Sequence, residues 1–368
     1  MRIIFVTPYL SNGGAEREVA AFANNLVNMG NEVHIVCLWG GKADYPVDEK
    51  VVIHTWSINP AVKNRMLQGA YRLAVWGKKL TSLKGDIIIP FCLTPEYVLS
   101  FLPWLLFSRT KLLYTVRNNQ QTTLSKRNQR LGRLTFSLVA GIWMQTEDQR
   151  KFFSKKIQKK TFVVPNILNN RFLDIRKPYR NNISELISVG RIHPQKNQKM
   201  LIQAFAKMIE RTGNQEATLS IYGKVLEEDR ATEAELKTLI RENHLEERVF
   251  LPGRVNDIET KYAQADMFVF GSDYEGCPNA LMEAMAAGLP CISTDCPTGP
   301  STIIESGKNG ILVPVKDVDA MSHSMESLIQ NPQWANQLGM AAKQRMKKWG
   351  GEKELAQELL TRLKEICP

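Results

Sequence analysis

The sequence predicts an α/β protein of two doubly wound, Rossmann-like domains, and three stretches carry that expectation. The chain opens with an apolar run, Arg2 to Tyr9, a Gly-Gly turn, a helical pattern and a second apolar run from Asn31 to Trp39. A fresh strand, loop and helix begin at Leu186, after a polar, basic segment that ends at Asn182. Finally, the apolar runs Met267 to Phe270 and Pro290 to Asp295 bracket a loop and a helix. Alternation of this kind builds parallel sheets whose ligands sit outside the carboxyl ends of the strands.

Composition agrees and narrows the classes. The 368 residues suffice for two cores, and 43% hydrophobic with 23% charged residues excludes disordered and collagen-like chains. Six cysteines without a CxxC pair argue against a disulfide framework and against zinc, and five dispersed histidines form no metal cluster. No metal and no cofactor are therefore expected, and a reducing cytosol is the expected compartment. The net charge of +11 is uneven: residues 1–180 hold 27 Lys and Arg against 11 Asp and Glu, and the remainder 21 against 26. Such a basic half suits an anionic surface, either nucleic acid or an acidic membrane leaflet.

The first strand, Arg2 to Tyr9, ends its apolar run at Pro8, too early for a secretory signal, so the protein is expected to remain where it is made. Gly13, Gly14 and Glu16 follow it. Glycines there admit close approach of a ligand to a helix N-terminus, but a tight turn with Glu16 on the dipole explains them as well. The helix after them carries Val19, Phe22, Ala23, Leu26 and Met29 at helical spacing. Residues 60–84 hold six cations, no acid on a basic amphipathic pattern and the apolar Met66, Leu67, Leu73 and Trp76, which fits a membrane-surface helix or a helix packed on the sheet. The segment Tyr97 to Phe107 is shorter than the ~20 residues a bilayer needs and is interrupted by Pro103, so it lies on a membrane or in a core.

Lys111 to Val116 reads as a strand that delivers Arg117 and Asn119 to its carboxyl end. Two more basic stretches, Arg109 to Arg133 and Lys151 to Lys160, complete the first half, the latter with Phe152 and Phe153 among its lysines. In the second half, Leu186 to Arg191 is a strand and Gln198 to Ile209 a helix, which places Arg191 and Lys196 where two cations clamp a diphosphate. Thr218 to Gly223, Val249 to Gly253 and Met267 to Phe270 are further strands. Glu275 stands in the loop after the last of these, and Glu283 about one turn into a helix opened by Pro278 and Asn279 and closed by Gly288. By spacing alone these are equally a solvated loop acid and a first-turn acid. Thr298 and Gly299 precede Pro300, a residue suited to the first helical position, and so present amides to phosphate. A last strand, Ile311 to Pro314, helices over 317–330 and 333–348, and a final segment from Gly351 to Ile366 close the chain.

Glu275 and Glu283, with seven residues between them, resemble the E-x7-E signature of retaining GT-B glycosyltransferases of family 4, which includes bacterial cell-envelope polysaccharide enzymes. Gly13-Gly14-Ala15-Glu16, Val189-Gly190-Arg191 and Asn309-Gly310 extend the similarity over nearly the whole chain. The resemblance implies two facing domains with a cleft between them, 1–180 for the acceptor and 181–348 for the nucleotide sugar, with 349–368 as a helix returning to the first. It implies a retaining hexosyltransferase acting on a UDP-sugar (UDP-GalNAc, UDP-Gal, UDP-GlcNAc or UDP-Glc) and a polyprenyl-diphosphate-linked saccharide in O-antigen or capsule synthesis. It assigns catalysis to Glu275, Arg191 and Lys196, and donor binding to Val255, Cys277, Pro278, Asn279, Ala280, Glu283, Thr298 and Gly299. Gly13, Gly14, Glu16, Arg117 and Asn119 become acceptor or cleft residues, with Arg117 where many relatives have histidine; an arginine stays protonated and is no general base. The expected partners are a nucleotide sugar, the lipid-linked acceptor and an anionic membrane met by the basic half, with no nucleic acid, at the inner face of the cytoplasmic membrane. A nucleotide-sugar epimerase of the same architecture and a non-catalytic nucleic-acid-binding protein remain as alternatives.

Overall fold

A computed structural model describes residues 1–11, 13–40, 43–56, 71–105, 108–119 and 124–368. Apolar runs become strands, and the central ones of each sheet are buried on both faces, as parallel sheets covered by helices require. Seven strands form one sheet: β1 (Arg2–Thr7), β2 (Glu32–Cys37), β3 (Val52–Thr55), β4 (Ile87–Pro90), β5 (Lys111–Thr115), β6 (Gly141–Met144) and β7 (Thr161–Val163). Their order is β3-β2-β1-β4-β5-β6-β7, and each neighbouring pair is parallel. A second sheet holds β8 (Glu185–Val189), β9 (Thr218–Tyr222), β10 (Val249–Gly253), β11 (Met267–Phe270), β12 (Cys291–Thr294) and β13 (Ile311–Val313). Its order, β10-β9-β8-β11-β12-β13, is again parallel throughout. Both sheets wind outward in two directions from their first strand, the doubly wound pattern the sequence predicts.

The chain divides into two compact units, Met1–Ile167 with Gly351–Pro368, and Leu168–Gly350. The C-terminal helix Glu352–Ile366 belongs to the first unit, where Leu355, Leu359, Leu360 and Leu363 are buried and the helix packs on Gly14–Asn28. The first boundary differs from the expected 180/181. Residues 168–180 look like a polar linker, yet Phe172 is fully buried in the second core, against the ring of Tyr262 at 5.8 Å. Polar groups strap the rest down: Lys177 Nζ donates to the carbonyls of Ala263 and Ala265, Arg180 pairs with Asp266 at 3.0 Å, and Lys343 reaches the carbonyl of Ile175. With the observed division the first unit carries 26 Lys and Arg against 14 Asp and Glu, and the second 22 against 23.

Several elements were not expected from the sequence: β3, β4, β6, β7 and the helices Lys126–Leu138, Arg230–Glu242 and Ile258–Gln264. Of the basic amphipathic stretch 60–84, residues 60–70 lie outside the described ones; beyond them Trp76 and Leu80 are buried in the core while Lys78 and Lys79 face solvent. That part is a helix packed on the sheet. Val98, Phe101, Leu102 and Leu105 are likewise core residues, which settles the described part of the 97–107 segment. Among the described residues no helix is long and apolar enough to cross a membrane.

Lys177 is the best-defined fastening of the strap. It caps the end of helix Ile258–Gln264, and burial pushes its ammonium down to about 8. Lys177→Ala is expected to destabilise the protein by about 1–3 kcal/mol, measured by urea titration. Because the folded value lies below the unfolded one, the unfolded chain binds more protons between about pH 8 and 10.4, so the wild-type advantage grows with pH across that window.

Candidate active site

In a doubly wound sheet the crevice lies where the winding reverses, outside the carboxyl ends of the two strands that flank the first connection in each direction. In the second unit that point lies between β8 and β11. The loop after β8 carries Arg191, His193 and Lys196; the loop after β11 carries Asp273, Glu275 and Cys277. Short-range bonds join them. The Asp273 amide donates to the Gln195 carbonyl (2.9 Å), Gln195 Nε2 to the Tyr274 carbonyl (2.7 Å), Asn197 Nδ2 to Asp273 Oδ1 (2.9 Å), and Lys196 Nζ to Glu275 Oε1 (2.6 Å). Asn197 sits in the left-handed region at φ 46° and caps the helix Gln198–Thr212 through the Met200 amide, so the chain turns sharply just after Lys196.

The two predicted cations are each met by a carboxylate. Glu275 is 7% exposed and engages Lys196, whose ammonium also lies 5.5 Å from the Phe270 ring centre. Arg191 pairs with the buried Asp229 at 3.6 Å. The pairs hold both heads at the strand ends, where a diphosphate would meet them already oriented. Burial, then the nearby Arg191, lowers the pKa of His193; its Nδ1 accepts from the Gln195 amide at 3.1 Å, as a neutral ring does.

The loop after β12 closes on the same group. Thr298 Oγ1 donates to the Glu275 carbonyl, and Gly299 holds φ 99°, with a Cβ there 2.8 Å from Pro278 Cδ. Only glycine meets both conditions. The helix it feeds, Pro300–Ile303, is a single turn, so its dipole is weak and its amides carry what anion affinity it has. Glu283 lies on the helix Asn279–Ala286, is 5% exposed, and accepts from the Tyr262 hydroxyl at 3.3 Å. Cys277 and Pro278 are buried, with Cys277 Sγ against Met282 Sδ, which leaves their backbone to act; Asn279 and Ala280 begin the helix half-exposed. Val255 lies beyond the carboxyl end of the edge strand β10, two strands from β8.

In the first unit the corresponding point lies between β1 and β4. Gly13 is extended at the N-cap, Gly14 starts the helix, and the Glu16 carboxylate folds back to where a Cβ on Gly13 would lie, 1.9 Å away. Arg117, after β5, has its guanidinium 4.0 Å from the ring centres of both Phe91 and Trp143 and donates to Asn166 Oδ1 at 3.4 Å. It is a fixed, half-buried cation rather than a mobile one. Asn119 is buried, and its amide donates to Asn118 Oδ1. Phe153 is buried and Phe152 packs on the core, so neither offers a stacking face to nucleic acid.

Asp229, Tyr262 and Gly223 escape the sequence reading. Asp229 ends an acidic run before a helix, a weak signal; Tyr262 stands 21 residues from Glu283 and gives none. Gly223 directly follows β9, and a Cβ there would stand 1.9 Å from the Gly190 carbonyl oxygen, next to Arg191.

Residues 174–345 match the family described as glycosyl transferases group 1. The amylovoran biosynthesis glycosyltransferase AmsD of Erwinia amylovora is 25% identical over 358 residues, 95% of this chain and 96% of its own. A Campylobacter jejuni N-acetylgalactosamine-N,N'-diacetylbacillosaminyl-diphospho-undecaprenol 4-alpha-N-acetylgalactosaminyltransferase is 26% identical over 353 residues, 92% of this chain and 93% of its own. Among solved structures, Anabaena HepE in complex with UDP and glucose shares the fold at a TM-score of 0.82, with 18% identity over 99% of this chain and 100% of that one.

Gly223→Ala tests how tightly this edge is built. The clash is with backbone, so β8 and β9 must separate, and a loss of about 1–3 kcal/mol in urea unfolding is expected.

Proposed function

We propose, for a chain that belongs through residues 174–345 to glycosyl transferases group 1 and has the GT-B fold, that it moves a hexose or N-acetylhexosamine from a UDP-sugar to a polyprenyl-diphosphate-linked saccharide with retention at the anomeric carbon. The observation that carries the proposal is the Lys196–Glu275 pair at the reversal point of the second sheet, flanked by Arg191. Lys196 and Arg191 take the diphosphate and stabilise the charge that grows on it as the anomeric C–O bond breaks. Glu275 and the backbone from Cys277 to Ala280 orient sugar hydroxyls, Thr298 and Gly299 lie beside the phosphates, Val255 meets the base, and Glu283 accepts from the ribose. The acceptor oxygen bonds to the anomeric carbon on the face the diphosphate leaves, and a phosphate oxygen receives the acceptor proton. No group on the protein forms a covalent intermediate, and no metal enters the scheme.

HepE's complex with UDP and glucose supports the choice of donor, and the lipid-diphosphate substrate in the name of the C. jejuni relative supports the choice of acceptor. A place at the inner face of the cytoplasmic membrane follows, with the basic unit toward anionic lipid. Helix Lys126–Leu138 is the part best made for that contact. It exposes Leu134 and Leu138, at 52% and 51%, beside Arg127, Arg130 and Arg133.

UDP is expected to raise the melting temperature of the protein, and one UDP-sugar to do so selectively. Lys196→Ala and Glu275→Ala should each lower transfer on the order of 10²–10³-fold in a UDP-release assay, with the fold retained by circular dichroism. Wild-type rates in either variant would falsify the assignment. Conversion of the donor to an epimer without acceptor would replace transfer by epimerisation. Anionic vesicles should pellet the protein at low salt and lose it as salt is added, and Leu134→Glu with Leu138→Glu should abolish pelleting while sparing the UDP shift.

A further inference from the structure

We propose that Tyr9, backed by Trp39 and Tyr97, is a stacking platform for a pyranose ring of the acceptor, a site within the first unit that deepens the function proposed above and rests on it. Tyr9 stands two residues beyond β1, Trp39 two beyond β2, and Tyr97 on the helix Pro95–Leu99 that follows β4. All three therefore leave the sheet at its carboxyl edge, at the reversal point or one strand from it. The Tyr9 and Trp39 rings lie 5.5 Å apart at 51°, and Trp39 and Tyr97 lie 5.6 Å apart at 79°, edge to face. Each ring thus fixes the tilt of the next. Trp39 and Tyr97 are half-buried against the core, whereas Tyr9 keeps 44% of its surface in water.

That exposure is held in place rather than left to a loose loop. The Thr7 hydroxyl donates to the Tyr9 carbonyl at 2.9 Å, the Trp39 amide to the Pro8 carbonyl at 3.1 Å, and the Asp44 amide to the Leu10 carbonyl at 3.0 Å. The Tyr45 hydroxyl reaches the Gly13 carbonyl at 2.8 Å. The loop after β2 is thereby laced to the loop after β1 on both sides of Tyr9. A rigid aromatic face open to water complements the C–H face of a sugar, whose hydrogens meet the negative face of the ring. A neutral pyranose fits that face.

Saturation-transfer NMR on the full chain tests the platform with methyl α-glucopyranoside, methyl α-galactopyranoside and their 2-acetamido counterparts as probes. Wild type, Tyr9→Phe and Tyr9→Ala are compared, each also tested for the melting shift with UDP. At least one pyranoside should show saturation concentrated on its ring C–H protons. Tyr9→Phe should bind it within about twofold of wild type and Tyr9→Ala about tenfold more weakly, with the UDP shift equal in all three. Equal pyranoside binding by Tyr9→Ala overturns the platform. So does the lack of saturation in every pyranoside while the UDP shift persists, an outcome that leaves glycosyl transfer standing. Tyr9-dependent pyranoside binding without any UDP shift supports the platform and removes the proposed transfer.

Discussion

A carboxylate buried as deeply as Glu275 must be met by a cation or by donors, because the cost of taking it from water is otherwise several kcal/mol. Lys196 supplies the cation, and the need to bring it there shapes the neighbouring chain. The loops after β8 and β11 must run side by side, which the parallel pairing of those strands allows and the bonds from Gln195 and Asn197 to the second loop complete. Asn197 must turn through a left-handed conformation to begin its helix directly after Lys196. Thr298 must hold the Glu275 backbone from the third loop, and Gly299 must lack a side chain for that loop to come so close. One ion pair thus accounts for the sequence of four otherwise unrelated positions.

The pair also sits where topology alone would put a ligand. Both sheets reverse their winding next to their first strand, at β1/β4 and at β8/β11, and both reversals gather chemically loaded residues. Their contents differ. The second unit gathers cations balanced one by one by carboxylates, an arrangement suited to a phosphate that will displace or share those partners. The first gathers aromatic rings, a glycine N-cap and the caged guanidinium of Arg117, an arrangement suited to a neutral polyol with a fixed charge nearby.

How far the sequence reached follows from which interactions are local. Glu275 and Glu283, ambiguous by spacing, were singled out by the E-x7-E resemblance, whereas Arg191 and Lys196 were legible because each lies within a few residues of a strand end or helix start that apolar runs mark. Gly299 and Pro300 were legible for the same reason, although the helix proved a single turn. Asp229, Tyr262 and Gly223 act on residues 38, 21 and 33 positions away, and nothing in their own surroundings announces it. The strands β4 and β6 are four-residue runs, Ile87–Pro90 and Gly141–Met144, too short to separate from buried helix by periodicity. The expected boundary at 180/181 differs from the observed one at Ile167 for another reason. Residues 168–180 have the composition of a linker, but Lys177 and Arg180 spend their charge on carbonyls and on Asp266 of the second core, so polarity there marks a fastening and not a hinge.

That distinction between spent and unspent charge also separates the two units. The second unit is close to neutral, with 22 basic against 23 acidic residues, yet it holds the cations best placed for a diphosphate. Net charge therefore says nothing about the proposed anion site, since Arg191 and Lys196 are compensated by Asp229 and Glu275 and their field is short-ranged. The first unit carries its excess on exposed side chains such as Lys126, Arg130 and Arg133, where it remains visible at a distance of about one Debye length, ~8 Å at physiological salt. Salt should act on the two in opposite degree, weakening the broad surface attraction strongly and the paired, partly buried site little. The two kinds of charge are thus kept on different units, exposed on the first and paired on the second.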